Sequence, residues 1–136
     1  MATHALEEVI AEKIRAASQR SRVRDLYDLS ELARRPLQKE IIRSLAVLKL
    51  WNSGGPGLDF VRFRERIEAG GDYDLLELKD LLRKDQNPDL AEMIARVVAS
   101  FQFLGHMTES ERMLAGDSAQ RQRPTAGALA AALATA

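Results

Sequence analysis

The stretch LEEVIAEKIRAASQRSRVRDLYDL, Leu6 to Leu29, decides how this chain is read. Leu6, Val9, Ile10, Ile14 and Ala17 recur at the i, i+3, i+4 spacing of one face of an amphipathic helix. Lys13 falls on that same face, and Arg20 repeats its position two turns later. A lysine on a stripe meant for burial either snorkels, its stem covering apolar surface while the ammonium reaches water, or it binds something. Arg24, Asp25 and Asp28 follow at once on a second helix, where Arg24 and Asp28 stand as an i, i+4 pair. Charge is thus concentrated at one helix–helix junction. Two readings are open there. The cluster is an ion-pair lattice that fixes the angle between two helices, or it is an anion site. In the second case Lys13, Arg20 and Arg24 gather negative oxygens while Asp28 orients a cation or accepts a proton.

The same residues resemble two motifs of the AbiEii/AbiGii toxin family of nucleotidyltransferases. EKIRAASQR is similar to KxxAxxxR, with Lys13, Ala16 and Arg20 in the fixed positions. RDLYDL is similar to RDxxD, with Arg24, Asp25 and Asp28. LEEVIAE also resembles the family's approach to the lysine helix, and the likeness is dense over these segments and weak beyond them. The resemblance implies an enzyme of the polymerase β-like superfamily that binds a nucleoside triphosphate with Mg2+ and transfers a nucleotide to an acceptor. In some members that acceptor is RNA, the acceptor end of a tRNA. It also implies the toxin of a bacterial toxin–antitoxin pair, with a role in abortive infection by phage and an antitoxin protein as partner. By carry-over, Lys13 and Arg20 contact the triphosphate and Asp28 is the late acidic, catalytic residue. Asp25 is a structural support, and Arg24 is either a third substrate contact or a support.

The sequence also departs from the family. Such enzymes resemble polymerase β in their core, with a Gly-Ser motif and metal-holding carboxylates on strands that precede the lysine helix, whereas only five residues precede Leu6 here. Nucleotidyl transfer needs a divalent metal, and the metal needs convergent carboxylates. The expectation is therefore the C-terminal helical half of such an enzyme, incomplete or inactive alone and served by a chain bearing the catalytic strands. The alternative, from a different class, is a non-enzymatic helical interaction module or a decayed toxin remnant. An uncovered apolar face favours association in either case.

A chain of 136 residues is one domain's length and can bury a real core. Twenty basic and twenty acidic residues give no net charge, hence no global field to draw in nucleic acid. The balance is uneven: residues 1–50 carry ten Lys/Arg against seven Asp/Glu, while 72–92 runs acidic, so a polyanion should meet the N-terminal helices. The absence of cysteine excludes disulfides and thiolate zinc sites and fits a reducing cytoplasm. The N-terminus has no apolar run of signal-peptide length, and no segment approaches the roughly 20 apolar residues of a membrane span.

Outward from the opening stretch, the sequence predicts an all-α, compact multi-helix domain over 1–116 and a low-complexity, disordered tail over 117–136. The first helix runs from Leu6 to Gln19, with Glu7 and Glu8 complementing its dipole. The second runs from Arg24 to before Pro36 and buries Leu26, Leu29 and Leu32. Pro36 suits the first turn of a third helix reaching Trp51, with Leu37, Ile41, Leu45 and Leu48 as its stripe. NSGGPG, 52–57, is the strongest break. FVRFRERI then reads as a helix with Phe60, Phe63 and Ile67 inward, though its alternation also fits a strand. Its interleaved arginines and phenylalanines suggest single-stranded nucleic acid, but helical spacing puts the two types on opposite faces and favours core packing.

Gly70 and Gly71 close that helix, and 72–84 forms a leucine-rich segment with Leu75, Leu78 and Leu82 as its face. Asn87 caps a helix with Pro88 in its first position and the stripe Leu90, Ile94, Val97, Phe101 and Leu104, stopped by Gly105. Thr108 with Glu111 makes a capping box for a last short helix carrying Met113 and Leu114. The alanine-rich end, TAGALAAALATA, has helix propensity without a large apolar face. His4 and His106 lack evident ligand partners, Tyr27 is a core tyrosine or a base-stacking ring beside Asp28, and Trp51 plugs the end of the third helix.

Overall fold

The apolar periodicity of the opening stretch becomes α1 (Ala5–Gln19) and α2 (Val23–Leu32) in a computed structural model whose described residues are 4–20, 22–69, 73, 76–77, 79 and 89–136. α3 (Lys39–Ser53), α4 (Phe60–Ala69), α5 (Leu90–Ser100), a short 3-10 turn (Gln102–Gly105), α6 (Glu109–Ala115) and α7 (Arg123–Thr135) follow. The described residues form helices and no strand, so the fold is all-α. No helix among them is long and apolar enough to cross a membrane.

α3 is the axis of the molecule, packed by α1, the 3-10 turn, α6 and α7, while α1 also meets α2 and α4 and α2 leans on α5. This central position corrects the stripe expected for α3. Ile42, Leu45, Ala46, Val47 and Leu50 are buried, with Ile41 and Leu48 only partly so, because helices approach α3 from several sides rather than one. The helix also begins at Lys39, leaving Pro36 in the connection outside it. α1 is likewise rotated from the expected stripe: Ile10, Ala11, Ile14 and Ala17 are buried, whereas Val9 is 49% exposed.

In α4 the phenylalanines and arginines separate as helical spacing demands. Phe63 and Ile67 are buried and Arg62 and Arg64 exposed, which decides against the strand. Phe63 meets Phe101 edge-on with ring centroids 6.5 Å apart, and Phe101 leads to Phe103 at 5.8 Å, so an aromatic run fills the space between α4 and the end of α5. Asp89 caps α5, its side chain accepting from the Glu92 backbone N–H. The expected glycine stop at 70–71, the leucine face of 72–84 and the Asn87–Pro88 cap lie outside the described residues, apart from Tyr73, Leu76, Glu77 and Lys79.

The capping box of α6 forms, and it does more than end a helix. Glu111 is fully buried and accepts from the Thr108 backbone N–H, from Arg43 Nε and from the Ser44 hydroxyl, each at 2.7 Å. One carboxylate therefore both starts α6 and fastens it to α3. In the preceding loop Gly54 and Gly55 take φ of +74° and +84°, and at Gly57 an added Cβ would overlap the backbone carbonyl of Ala115. Glycine is required at these turns by conformation in the first two cases and by close approach in the third.

The C-terminal segment corrects the expectation of a disordered tail, since Arg123–Thr135 is helical. Ala126 is buried, and Leu129 and Leu133 pack against the core. Asp117 fastens the approach to α7: its carboxylate accepts from the Trp51 indole at 2.9 Å and from the backbone N–H groups of Arg121 and Gln122. Those bonds, the indole's first, hold its carboxyl below the usual carboxylate range. Gln120 returns a bond to the Trp51 carbonyl at 2.7 Å. Two leucines and this clasp suffice where alanine propensity alone would leave a short helix marginal.

Candidate functional site

α1 ends where the charge cluster begins. Arg20 leaves the helix in an extended conformation with its N–H still bonded to the Ala16 carbonyl, and α2 starts three residues later. Asp25 stands in the first turn of α2, where a carboxylate complements the helix dipole. It is 1% exposed and takes Arg20 side-on, Nε to Oδ2 at 2.9 Å and Nη2 to Oδ1 at 3.3 Å. The bond from Asp25 raises the Arg20 pKa further above its ordinary value. Lys13, two turns before Arg20, lies 4.0 Å from Asp25 Oδ1 and 2.8 Å from Asp28 Oδ2.

The structure therefore brings Lys13, Arg20, Asp25 and Asp28 together as one alternating chain of charges. It does not bring Arg24 in. That side chain is exposed and makes no ion pair among the described residues; Lys13 on α1 takes the Asp28 carboxylate that the i, i+4 spacing had assigned to Arg24. An arginine one turn away on the same helix offers a short, solvent-screened pair, whereas Lys13 reaches Asp28 across the junction with its stem packed.

Exposure divides the cluster into two layers. Asp25 is buried beneath, while the side chains of Lys13 and Asp28 are 29% and 28% exposed and that of Arg20 is 52% exposed. The buried carboxylate takes Nε and Nη2 and leaves Nη1 without a hydrogen bond among the described residues, with Glu77 adding a weaker electrostatic pull on the same guanidinium. Lys13 spends one of its three donors on Asp28. An incoming polyanion can thus be met by donors that are held in place without being saturated.

Neighbouring elements brace this junction through residues whose spacing gave no sign of it. Gln19 donates to the Ser53 hydroxyl at 2.8 Å, tying the end of α1 to the end of α3, and Arg66 of α4 reaches the Ala17 carbonyl at 3.4 Å. Tyr73 is buried with its hydroxyl toward the Ile67 carbonyl, and burial pushes its pKa up to about 12. Tyr27 is half-buried against the core. His4 sits beside Glu7, and His106 lines a separate cleft, so the structure does not bring the histidines together.

A divalent metal does not fit these residues. Among the described residues no group of three or more His, Asp or Glu could hold an ion, and the carboxylates of Asp25 and Asp28 already face cations.

With this geometry, the chain belongs to the AbiEii nucleotidyltransferase toxin family: the family model described as nucleotidyl transferase AbiEii toxin, type IV TA system, matches residues 1–116. Among solved structures it is similar to MenT4, the nucleotidyltransferase toxin Rv2826c from Mycobacterium tuberculosis H37Rv, at 27% identity and a TM-score of 0.76. That match covers 92% of this chain and 44% of MenT4, so the chain spans less than half of that protein's length. No curated protein sequence matches. Membership of a toxin family implies an antitoxin partner in general, and nucleotidyl transfer implies a nucleoside triphosphate and metal in general.

Proposed function

We propose that this chain is the nucleotide- and acceptor-positioning helical part of a nucleotidyltransferase toxin in a bacterial toxin–antitoxin, abortive-infection system acting in the cytoplasm. The observation that carries this is the Lys13–Asp28 and Arg20–Asp25 pairing, which sets Lys13 and Arg20 of the first family motif and Asp25 and Asp28 of the second in one cluster. In this reading Lys13 and Arg20 hold the triphosphate as point charge and fork respectively. Asp25 fixes Arg20 from below. Asp28 is the acidic residue at the surface of the site, positioning Lys13 and lying next to where an acceptor, the end of an RNA, would arrive. Residues 1–116 are the working unit, and 117–136 an appendage clasped to it.

Mg2+ finds no ligand group among the described residues, so the proposed roles are confined to binding and orientation. Arg24 stands exposed in the first turn of α2, without an ion pair among the described residues, and is the third substrate contact or a support.

Calorimetry of a nucleoside triphosphate with Mg2+ present tests the proposal on the parent chain, Lys13→Ala and Arg20→Ala. Saturable binding in the parent, lost in both variants while their circular dichroism is unchanged, is the expected result. Absence of binding in the parent would return the cluster to a structural lattice and the chain to the class of helical interaction modules.

A further inference from the structure

We infer that Arg62 and Arg66 of α4 line a track for a phosphodiester strand, running from the charge cluster at the end of α1 across the glycine loop. The track stands on its own geometry, and it rests on the proposed function only for the identity of the strand as the acceptor.

Two clefts make it. One, of about 330 Å3, is walled by Ser18 and Gln19 at the end of α1 and by Arg62 and Arg66. The other, of about 820 Å3, continues past Arg62 and Arg64 to Gln102 and His106. The two share Pro56, Gly57, Asp59 and Arg62, so they are continuous around the Arg62 side chain. At its α1 end the track begins at Gln19, next to Arg20. An open groove that carries three arginines against one carboxylate suits an extended chain of phosphates better than a single small ligand.

Charge supports the same occupant. Arg62 is exposed and makes no ion pair among the described residues, and Arg66 donates to a backbone carbonyl rather than to a carboxylate. Among the described residues Arg64 alone of the three is neutralised, by Glu68 at 2.8 Å. Asp59 is the one carboxylate in either lining, and it is turned to the start of α4, where its Oδ1 accepts from the Arg62 backbone N–H at 3.3 Å. Arg62 and Arg66 stand one helical turn apart on one face, and their planar forks match phosphate oxygens. Phe63 of the same helix turns to the core, while part-buried Phe60 and exposed Val61 line the larger cleft beside Arg62 and Arg64. A neutral chain overall then carries a local cationic strip, which is where a polyanion gains from displacing counterions.

Fluorescence anisotropy of a labelled short single-stranded RNA, titrated with the full chain over a range of salt concentrations, tests the track. The parent is expected to bind at low salt. Arg62→Ala/Arg66→Ala should weaken binding by about tenfold or more and flatten the salt slope by roughly 0.7 for each phosphate contact removed. Arg62→Glu, which touches no packed contact, should weaken it with no change in circular dichroism. Arg35→Ala/Lys39→Ala removes the same charge from exposed positions that line neither cleft, and should have a smaller effect. No binding by the parent, an equal loss in this control, or displacement by polyglutamate as readily as by unlabelled RNA would overturn the inference. The outcomes separate from those of the proposed function: triphosphate binding by calorimetry should survive Arg62→Glu, and its absence in the parent would strike the cluster while leaving the RNA result to judge the track.

Discussion

Replacing Glu111 by glutamine keeps its shape and removes its charge, and the structure fixes what that should cost. The side chain is fully buried, and Arg43, its ion-pair partner at 2.7 Å, is 8% exposed. Glutamine can still accept from the Thr108 N–H, and the Ser44 hydroxyl can turn to accept from the new amide, so the capping box and packing survive. What is lost is the counter-charge of a largely buried guanidinium. Removing one partner of a buried pair in this way costs about 3–5 kcal/mol. Against the roughly 5–15 kcal/mol that holds a domain of this size folded, that is about a fifth of the total or more. Urea unfolding followed by circular dichroism should therefore show a large fall in midpoint at an unchanged slope. Arg43→Met should cost a similar amount, and Arg43→Met/Glu111→Gln much less than the sum, because neither variant then strands a charge. A cost below about 1 kcal/mol for Glu111→Gln, or strict additivity in the double variant, would refute this account of the pair.

Asp25→Asn is expected to cost about 1–3 kcal/mol by urea unfolding, less than Glu111→Gln, because the half-exposed Arg20 it releases can return to water. If the cluster binds triphosphate, the same variant also lowers triphosphate affinity in calorimetry. Gly57→Ala should destabilise by about 1–3 kcal/mol through backbone overlap with Ala115, and thermal unfolding checks this against Lys13→Ala, which removes only a part-exposed pair and should cost about 0–1 kcal/mol. Tyr73 has a folded-state pKa raised to about 12 from 10.0, so between those values the folded chain holds a proton that the unfolded chain has lost. Stability should fall as pH rises from about 10 to about 12, and Tyr73→Phe should remove that part of the alkaline loss in urea titrations at successive pH values.

The parts of the fold written in local spacing could be read from the chain. α1, α2 and the α6 capping box each follow from residues within a few positions of one another, and Lys13, Arg20, Asp25 and Asp28 declare themselves by lying on apolar faces or at a helix start. Contacts across long separations could not be read. Arg43 sits on a helix buried on several sides, so its position in the period carries no information, and its partner Glu111 looks fully used by Thr108. Arg24 misled because the i, i+4 rule offers a partner on the same helix and is silent about a lysine on another. The C-terminal helix was hidden by composition, since alanine gives no apolar face and the clasp depends on Asp117 meeting a tryptophan 66 residues earlier.

That tryptophan is the only one in the chain. Its indole N–H is held by Asp117 and its own backbone carbonyl by Gln120, so its surroundings change as soon as the segment leading into α7 lets go. Intrinsic emission from this protein is thus a one-site report on the C-terminal clasp rather than an average over the core. A red shift that precedes the loss of helical dichroism on heating would mark release of the last helix while the rest of the fold still stands.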